Sequence, residues 1–285
     1  MANNESSAGS SYDWKAYRYD PSLVAAVVFI VCFVVTTFFH LYQMMRTRTW
    51  YFIPLFIGGC FEWVGYIGRA LSSQESPNWT LGPYIMQTLL LLIAPALFAA
   101  SIYMELGRII ELVDGEAHAM IRKRWLTKLF VCGDILSFTM QMAGGGIMSS
   151  GSLSSVKLGE KIVIAGLFIQ ILFFGLFIIV SFSFNVRMHR QPTEKATERH
   201  AVWHTHLNAL YVASALIMVR SIFRVVEYIQ GNDGYLLRHE VYLYVFDAVL
   251  MLAVMLVFNF VHPSEVKALL KGGRVAKGFK MYSTR

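Results

Sequence analysis

The sequence predicts an all-α, polytopic membrane protein with seven transmembrane helices, the N-terminus outside and the C-terminus cytosolic. The 285 residues are 56% hydrophobic and only 15% charged, with mean hydropathy +0.50, which is too apolar for a soluble domain. Seven stretches reach the length of about 20 apolar residues that crosses a bilayer as a helix. Lys and Arg are unevenly divided, with 17 beside one set of span ends and 5 beside the other, and the richer set marks the cytosolic side.

The predicted spans cover residues 22–45, 51–72, 83–106, 126–148, 161–186, 205–229 and 240–261. Residues 1–21 then form an extracellular N-terminal tail, residues 22–262 the transmembrane domain, and residues 263–285 a basic cytosolic tail. The first 20 residues are polar and have no apolar core, so we expect them to be retained rather than cleaved as a signal peptide. Asn4 and Asn78 begin acceptor sequons on the predicted outer side and are glycosylation candidates.

The cysteines and the surface charge indicate which covalent links and which partners to expect. Cys32, Cys60 and Cys132 all lie within apolar spans, so no disulfide framework is suggested. The net charge of +7 comes mainly from the predicted cytosolic rim, where basic residues attract anionic lipid head groups. The chain has no recognisable nucleic-acid module, so membrane lipids are the expected partners and nucleic acid is not.

The charged residues inside the predicted spans are the strongest indication of function. Each costs about 2.5 to 3.5 kcal/mol at a helix centre, so these side chains are expected to face the bundle interior or a wet cavity and to pair there. They are Glu62, Arg69, Asp134, Arg220, Arg224, Glu227 and Asp247.

Helical spacing groups the polar residues into four edges, one on each of four spans. Because Arg220 and Asp247 lie at similar depths, we expect them to pair. Gly144, Gly145 and Gly146 are expected to loosen or end the fourth span. The four edges are Glu62, Tyr66 and Arg69; Asp134, Ser137 and Gln141; Arg220, Arg224 and Glu227; and Glu240, Tyr244 and Asp247.

Two interpretations of these edges remain open. They are either structural ion pairs and hydrogen bonds that fix helix register, or the walls of a ligand cavity. The guanidinium group of arginine can donate two parallel hydrogen bonds to a phosphate or a carboxylate, whereas a carboxylate without a cationic partner can bind an amine. Both signs together favour an amphiphile with a zwitterionic or cationic head, and protons are a second candidate for the transported species.

Several functions are not expected because the sequence lacks the residues that they require. The nearest approach to a phosphate-binding loop, Gly273 to Gly278, is followed by Phe279 rather than lysine, so ATP hydrolysis is not expected. Only His40 lies well inside a predicted span, and His200, His204 and His206 are interpreted as surface residues, so we predict no metal, no cofactor and no enzymatic activity. A receptor stays as an alternative, although the third span ends in Glu105-Leu-Gly-Arg108 and not in an Asp-Arg-Tyr triplet.

The order of the motifs resembles that of the fungal RTA-like proteins, the lipid-translocating exporter family. The likeness extends from about Tyr19 to Pro263. Its motifs are Glu62-x-x-Gly65-Tyr66-x-x-Arg69, Asp134-x-x-Ser137-x-x-x-Gln141-x-x-Gly144, Gly166-x-x-x-Gln170, Arg220-x-x-Phe223-Arg224-x-x-Glu227 and Glu240-x-x-x-Tyr244-x-x-Asp247.

The resemblance implies a fungal protein of the plasma membrane, or alternatively of internal membranes, that confers resistance to toxic amphiphiles. Members are linked to release of sphingoid long-chain bases, to aminosterol resistance and to traffic of porphyrin or haem. We therefore predict an ATP-independent protein that binds such amphiphiles and exports or translocates them. The alternatives are a seven-helix receptor or sensor of lipid stress and a porphyrin or haem transporter.

The predicted binding residues divide by role. Three acids would hold a cationic head or a proton, three arginines would balance them or take a phosphate, and four polar side chains would orient the head. The acids are Glu62, Asp134 and Asp247, the arginines are Arg69, Arg220 and Arg224, and the orienting residues are Tyr66, Gln141, Gln170 and Tyr244. Ser137, Glu227 and Glu240 complete the predicted binding set.

Overall fold

A computed structural model describes residues 17, 19–148, 153–198, 200–231, 234–271, 274–275 and 282–283. Nearly all of them are helical. The helices are α1 (Leu23–Thr47), α2 (Ile53–Gln74), α3 (Leu81–Leu112), α4 (Lys123–Met148), α5 (Leu153–Arg190), α6 (Glu194–Glu198), α7 (His200–Gln230), α8 (Glu240–Leu243), α9 (Val249–Phe260) and α10 (Ser264–Leu270). The π-helical segment Tyr244–Ala248 joins α8 to α9. Short 3₁₀ turns lie at Trp50–Phe52, Glu116–His118 and Leu236–Arg238, and strands β1 (Arg274–Val275) and β2 (Tyr282–Ser283) pair antiparallel.

Six helical stretches in the described part of the chain are long and apolar enough to cross a membrane. The chain is therefore a multi-pass integral membrane protein. α4 is also long enough at 26 residues, but Lys123, Arg124 and Asp134 lower its hydropathy. The six stretches are Leu23–Thr47, Trp50–Gln74, Leu81–Leu112, Ser154–Arg190, Val202–Gln230 and Glu240–Leu270.

The helices form one bundle with two distinct ends. We call one the Tyr19 end, which carries Tyr17, residues 19–22 and the turns at 75–80 and 234–239. The other is the His262 end, which carries the turn after α1, residues 113–122 and α10. Successive long helices run between the two ends in alternating directions, so polar groups far apart in sequence meet at each end.

Close helix packing depends on small residues. α2 packs against α1 and α3, α4 against α5, and α7 against α3, α5 and α9. A Cβ on Gly144 of α4 would lie 2.7 Å from the Gly159 oxygen of α5, and one on Gly159 would lie 2.5 Å from the Gly144 oxygen. The expectation that Gly144–Gly146 end the helix is wrong, because α4 continues to Met148 and uses Gly144 for this approach, and a loosening of the helix there stays a prediction.

Most of the long helices extend beyond the predicted spans, α5 and α3 furthest. α5 begins at Leu153, about two turns before the predicted residue 161, and α3 continues to Leu112 rather than 106. The outward surfaces are apolar, as lipid contact requires, with Phe38 at 55% and Phe260 at 78% exposure. α4 has the same character, since Ile135 is 58% exposed and Leu136 is 50% exposed.

Candidate functional site

A polar cavity of about 120 Å³ opens at the Tyr19 end of the bundle. Its wall comes from the segment before α1, from α2, α3, α4, α5, α7 and α8, from Gly231 and Leu237 after α7, and from the π-helical segment. Charged side chains face it from four different helical elements, so no single helix defines the site. The charged lining residues are Arg69, Glu160, Arg224, Glu227 and Asp247, joined by Tyr17, Tyr19, Tyr84, Gln87, Thr88 and Tyr228.

Arg69 is the most enclosed of these charges, with no exposed surface. Its guanidinium donates to Glu240 Oε1 at 2.7 Å, to the Tyr19 hydroxyl at 2.7 Å and to the Tyr244 hydroxyl at 3.0 Å. The same group lies over the rings of Tyr17, Tyr19 and Tyr244 at 5.2 to 5.9 Å. Burial raises the pKa of the Tyr17 and Tyr19 phenols above 10.0, so both remain neutral.

The segment before α1 thus closes the Tyr19 end. Tyr17 donates to Gln87 Oε1 at 2.8 Å and lies 3.2 Å from Ser72 Oγ, which ties it to α3 and α2. The backbone N–H of Ser22 donates to Glu240 at 2.9 Å. Residues of the predicted N-terminal tail therefore form part of the site wall.

Arg220 and Asp247 form the expected ion pair deep in the bundle, where both are almost fully buried. A second guanidinium nitrogen of Arg220 donates to the Leu91 carbonyl oxygen at 2.8 Å. That oxygen has no helical donor, because the residue four positions later is Pro95, which lacks an N–H. Arg220 therefore satisfies the backbone defect that the proline creates in α3.

Glu62 and Tyr66 lie beside this pair. Both are buried, and Glu62 is within electrostatic range of Asp247 and Arg220. Among the described residues, Glu62 Oε1, the Tyr66 hydroxyl and Asp247 Oδ2 have no hydrogen-bond partner. The Tyr66 ring stacks on Phe33 at 5.8 Å between centroids, which fixes its position. Polar atoms of this kind are suited to a ligand, to water or to a proton.

Arg224 and Glu227 form a second pair at the cavity wall, with 2.7 Å between Nη1 and Oε2. The guanidinium also lies 5.8 Å from the centre of the Tyr228 ring. Within the described part of the chain, Arg224 Nε and Arg69 Nη1 lack hydrogen-bond partners. Each cation thus retains one donor for a further acceptor.

Carboxyl groups outnumber guanidinium groups on the cavity wall, by three to two. The acids are Glu160, Glu227 and Asp247, and the cations are Arg69 and Arg224. Behind the wall lie Glu62, Glu240 and Arg220, and Lys157 of α5 acts electrostatically on Glu160. A cationic group at the wall would balance the carboxylate that the two lining arginines leave over.

An apolar groove of about 270 Å³ adjoins the polar cavity. It lies between the Tyr19-end halves of α3 and α4 and is lined by side chains such as Ile85, Leu89, Leu92 and Met142. Tyr84, Thr88, Met148 and Tyr228 line both the groove and the cavity, so the two spaces are neighbours. A polar chamber next to an apolar groove matches the two parts of an amphiphile.

The α4 and α5 candidates lie apart from the charged cavity. Ser137 donates to the Gly166 carbonyl oxygen at 2.8 Å, and Gln141 Nε2 lies 2.7 Å from Ser137 Oγ and 3.2 Å from Gln170 Oε1. Asp134 interacts with Tyr103 of α3. Gln141 also lines the apolar groove. These residues join α4 to its neighbours, and the structure does not bring Asp134 to the cation-lined chamber.

Sequence reasoning missed part of the cavity wall. Glu160 was outside the predicted fifth span, and the two extra turns of α5 carry it to the cavity. Tyr17 and Tyr19 come from a polar tail that has no helical periodicity, so no pattern linked them to Arg69. Asn78 is exposed in the turn between α2 and α3, and its glycosylation stays a prediction, whereas Asn4 lies outside the described residues.

Sequence reasoning also missed a buried network at the His262 end. His206 is 2% exposed, and its ring nitrogens lie 3.2 Å from Glu105 Oε1 and 3.3 Å from Glu265 Oε2. Its interpretation as a surface residue is therefore wrong. His262 and His40 are also buried, with 5.5 Å between their ring centres. In the described residues no group of three His, Cys, Asp or Glu side chains is arranged to hold a metal ion.

The fold and the site together define a multi-pass α-helical membrane protein with a charged chamber beside an apolar groove. Residues 55–268 match the family described as RTA1 like protein. The chain belongs to this family, which confirms the resemblance to the fungal RTA-like proteins.

Three of the relatives in Saccharomyces cerevisiae differ in the names they carry. Protein RTM1 is 38% identical over 89% of this chain and 93% of its own length. Protoporphyrin uptake protein 1 is 40% identical over 85% of this chain and 90% of its own. Sphingoid long-chain base transporter RSB1 is 26% identical over 85% of this chain and 72% of its own. No solved structure matches the chain.

Proposed function

We propose that this protein binds amphipathic lipids or lipid-like toxins with a cationic head and moves them to the outer face of the membrane without ATP. The observation that carries the proposal is the excess of carboxyl groups in a chamber that adjoins an apolar groove. A protonated amine would lie among Glu160, Glu227 and Asp247, and its hydrocarbon tail would lie in the groove. Sphingoid long-chain bases and aminosterols have this chemistry.

The size of the chamber favours a head group over a whole ligand. Small-molecule pockets commonly measure about 300 to 1,000 Å³, whereas the chamber measures about 120 Å³ and the groove about 270 Å³. A long-chain base needs only its small head in the polar part, because the groove and the adjacent lipid can take the tail. The relative named as a sphingoid long-chain base transporter supports this substrate class.

The topology that fits this role has seven spans, with α4 as the fourth and the Tyr19 end outside. The apolar outward face of α4 supports its insertion. At the His262 end, an open cavity of about 740 Å³ is lined by Arg108, Arg122, Lys123 and Arg124, as expected for contact with anionic cytosolic lipid heads. The chamber then opens outward, toward the destination of an exported lipid. The plasma membrane is the expected location.

A binding experiment on the purified full chain in lipid nanodiscs tests the proposal. Sphinganine should bind, whereas ceramide, which has a similar tail but an uncharged amide, should not. Glu160→Gln and Glu227→Gln should each weaken sphinganine binding by about tenfold, since a hydrogen bond to a charged group contributes about 1.5 to 3 kcal/mol. Glu198→Gln, an exposed acid outside the site, is the matched control. Equal binding of sphinganine and ceramide would contradict the role of the acids.

Release of labelled sphinganine from cells tests the transport step. Wild type and Glu198→Gln should release the base faster than cells without the protein, and Glu227→Gln should not, at equal surface expression. Binding without any change in lipid distribution, together with ligand-dependent signalling, would favour the receptor alternative.

Porphyrin is the second candidate substrate, because a 40% identical relative is named as a protoporphyrin uptake protein. Arg69 and Arg224 each keep an N–H without a partner among the described residues, and both could hold a propionate. The chamber is too small for the macrocycle without helix movement. A shifted Soret band on mixing with protoporphyrin, lost in Arg224→Gln, would favour this substrate over long-chain bases.

A further inference from the structure

The network at the His262 end contains titratable groups that the ligand chamber does not use. His206 of α7 lies between Glu105 of α3 and Glu265 of α10, at 3.2 and 3.3 Å. Tyr51 donates to the other oxygen of Glu105 at 3.0 Å. A histidine between two carboxylates can accept a proton on one ring nitrogen and release it from the other. The Glu265 side chain is 23% exposed, so this network reaches the surface.

His262 continues the line toward the bundle centre. The backbone N–H of Ser264 donates to His262 Nδ1 at 3.2 Å, so the neutral ring carries its proton on Nε2. In the part of the chain that the structure describes, this Nε2 has no hydrogen-bond partner. His262 is within electrostatic range of both His40 and His206. Three buried histidines from separate parts of the chain therefore lie in one series.

A polar face of α1 extends the series toward the ligand chamber. Its buried residues recur every three or four positions and face α2 and α9, and they are Thr36, Thr37, His40, Gln43 and Thr47. The Thr37 hydroxyl lies against α2 at Gly59, about one turn before Glu62. Glu62 is within electrostatic range of Asp247 at the chamber wall. Polar groups thus occur from the chamber to the opposite end of the bundle.

Stabilisation of the fold does not explain this series of buried polar groups. Several of its atoms have no hydrogen-bond partner among the described residues, and a buried polar group left unpaired costs about 1 to 3 kcal/mol. The atoms are Thr37 Oγ1, Gln43 Oε1, Asn259 Oδ1 and His262 Nε2. Hydroxyl and imidazole groups can donate and accept in turn and so can pass a proton, whereas the amide oxygens of Gln43 and Asn259 only accept and would hold a water between those groups.

We propose that this line conducts protons between Asp247 and Glu265 and thereby couples lipid movement to the proton gradient. The inference rests on the proposed function and names its energy source. One cationic amphiphile leaves the chamber as one proton binds Glu62 or Asp247 in its place. The proton then passes through the α1 face and the histidines and leaves at Glu265. His206 gains one N–H and loses the other, and His262 does the same once its ring turns and releases the Ser264 N–H from Nδ1, so the exchange is balanced in charge and in protons.

The charged and titratable neighbours of each proton-binding residue determine how strongly that residue binds a proton. Glu62 and Asp247 face Arg220 and Tyr66, and Asp247 also faces Arg224 and Glu227 of α7. His206 faces Glu105, Glu265 and His262. Arg220 keeps one carboxylate ionised and leaves the other to take either the amine or the proton. Competition for that single negative charge is the coupling step.

Proteoliposomes that contain the full chain and the trapped pH dye pyranine test the coupling. The probe is N,N,N-trimethylsphingosine, whose fixed charge prevents it from carrying a proton across the membrane by itself. With wild type, movement of the probe should drive an opposite movement of protons. A pH difference of one unit should sustain up to about a tenfold ratio of the probe across the membrane.

His206→Gln and His262→Asn should each abolish proton movement while binding of the probe stays within about twofold of wild type. His189→Asn, at an exposed histidine, is the matched control and should behave like wild type. Two separate variants guard against a folding defect in one, and retained binding shows that the chamber is intact.

The outcomes separate the two proposals. Probe movement without proton movement in wild type would overturn the coupling and leave the proposed function standing. Full proton coupling in both histidine variants would overturn the assigned route. If wild type moves no probe at any pH difference, both proposals fail.

Discussion

The two ends of the bundle bury charge in different ways. At the Tyr19 end, three acids and two arginines line a cavity that adjoins an apolar groove. At the His262 end, His206, Glu105 and Glu265 come from three helices and hold α3, α7 and α10 together. Buried polar atoms without a partner among the described residues occur near both ends. Buried charge and unpaired polar atoms therefore do not by themselves identify a ligand site, and the charged cavity beside an apolar groove is what distinguishes the Tyr19 end.

The centre of the bundle should show the largest effect, because Arg220 supports both Asp247 and the Leu91 carbonyl. Arg220→Met leaves a buried carboxylate without its cation and should cost about 3 to 5 kcal/mol of unfolding free energy. Thermal unfolding in detergent measures the loss, with Arg108→Met at an exposed arginine as the control. The double variant Arg220→Met/Asp247→Leu should recover most of it. A small loss in the single variant would mean that the pair is hydrated and belongs with the ligand chamber.

A substitution of Arg69 tests whether the same residue at the Tyr19 end contributes both to fold stability and to ligand binding. Arg69→Lys keeps the charge but loses the fork that reaches Tyr19, Tyr244 and Glu240, and should cost about 1.5 to 3 kcal/mol. Both the melting temperature and sphinganine binding should fall. If binding is unchanged, Arg69 only closes this end of the bundle.

Tyr51 tests the opposite end. Its hydroxyl donates to Glu105 at 3.0 Å and lies 3.0 Å from the Pro263 oxygen, so Tyr51→Phe should cost about 0.5 to 1.5 kcal/mol of stability. Ligand binding should not change, because Tyr51 is far from the chamber wall. Weaker sphinganine binding in this variant would remove the distinction between the two ends.

Glu75 should give the smallest effect, since it lies in the exposed turn before α3. Hydrogen bonds from the Thr80 backbone N–H and hydroxyl lower the Glu75 pKa below its usual value of 4.5. A lowered carboxyl pKa stabilises the fold above pH 4.5, and this stabilisation disappears as the pH falls through the lowered pKa. The protection factor for hydrogen exchange at the start of α3, which corrects for the slower intrinsic exchange in acid, should therefore fall as the pH drops in wild type, and Glu75→Gln should remove that change.

The sequence predicted features that depend on local spacing and depth. Helical periodicity placed Glu62, Tyr66 and Arg69 on one buried face, and equal depth predicted the Arg220–Asp247 pair. It could not predict which neighbour each face meets. Asp134 therefore proved to lie near Tyr103 and not at the chamber, although its helix shows the same spacing.

The remaining features depend on contacts between distant parts of the chain. Glu105 and Glu265 reach His206 from 101 and 59 positions away, and no local pattern links them. Tyr19 reaches Arg69 from an irregular segment, where periodicity carries no information. Such contacts follow from tertiary packing, which one sequence alone does not supply.

The bond from Arg220 to the Leu91 oxygen has a mechanical consequence. Pro95 leaves that oxygen without an N–H from its own helix, so separating α3 from α7 would expose a bare carbonyl and a bare cation together. The two helices should therefore travel as one rigid body whenever the chamber changes shape. Crosslinks between α3 and α7 should therefore leave transport intact.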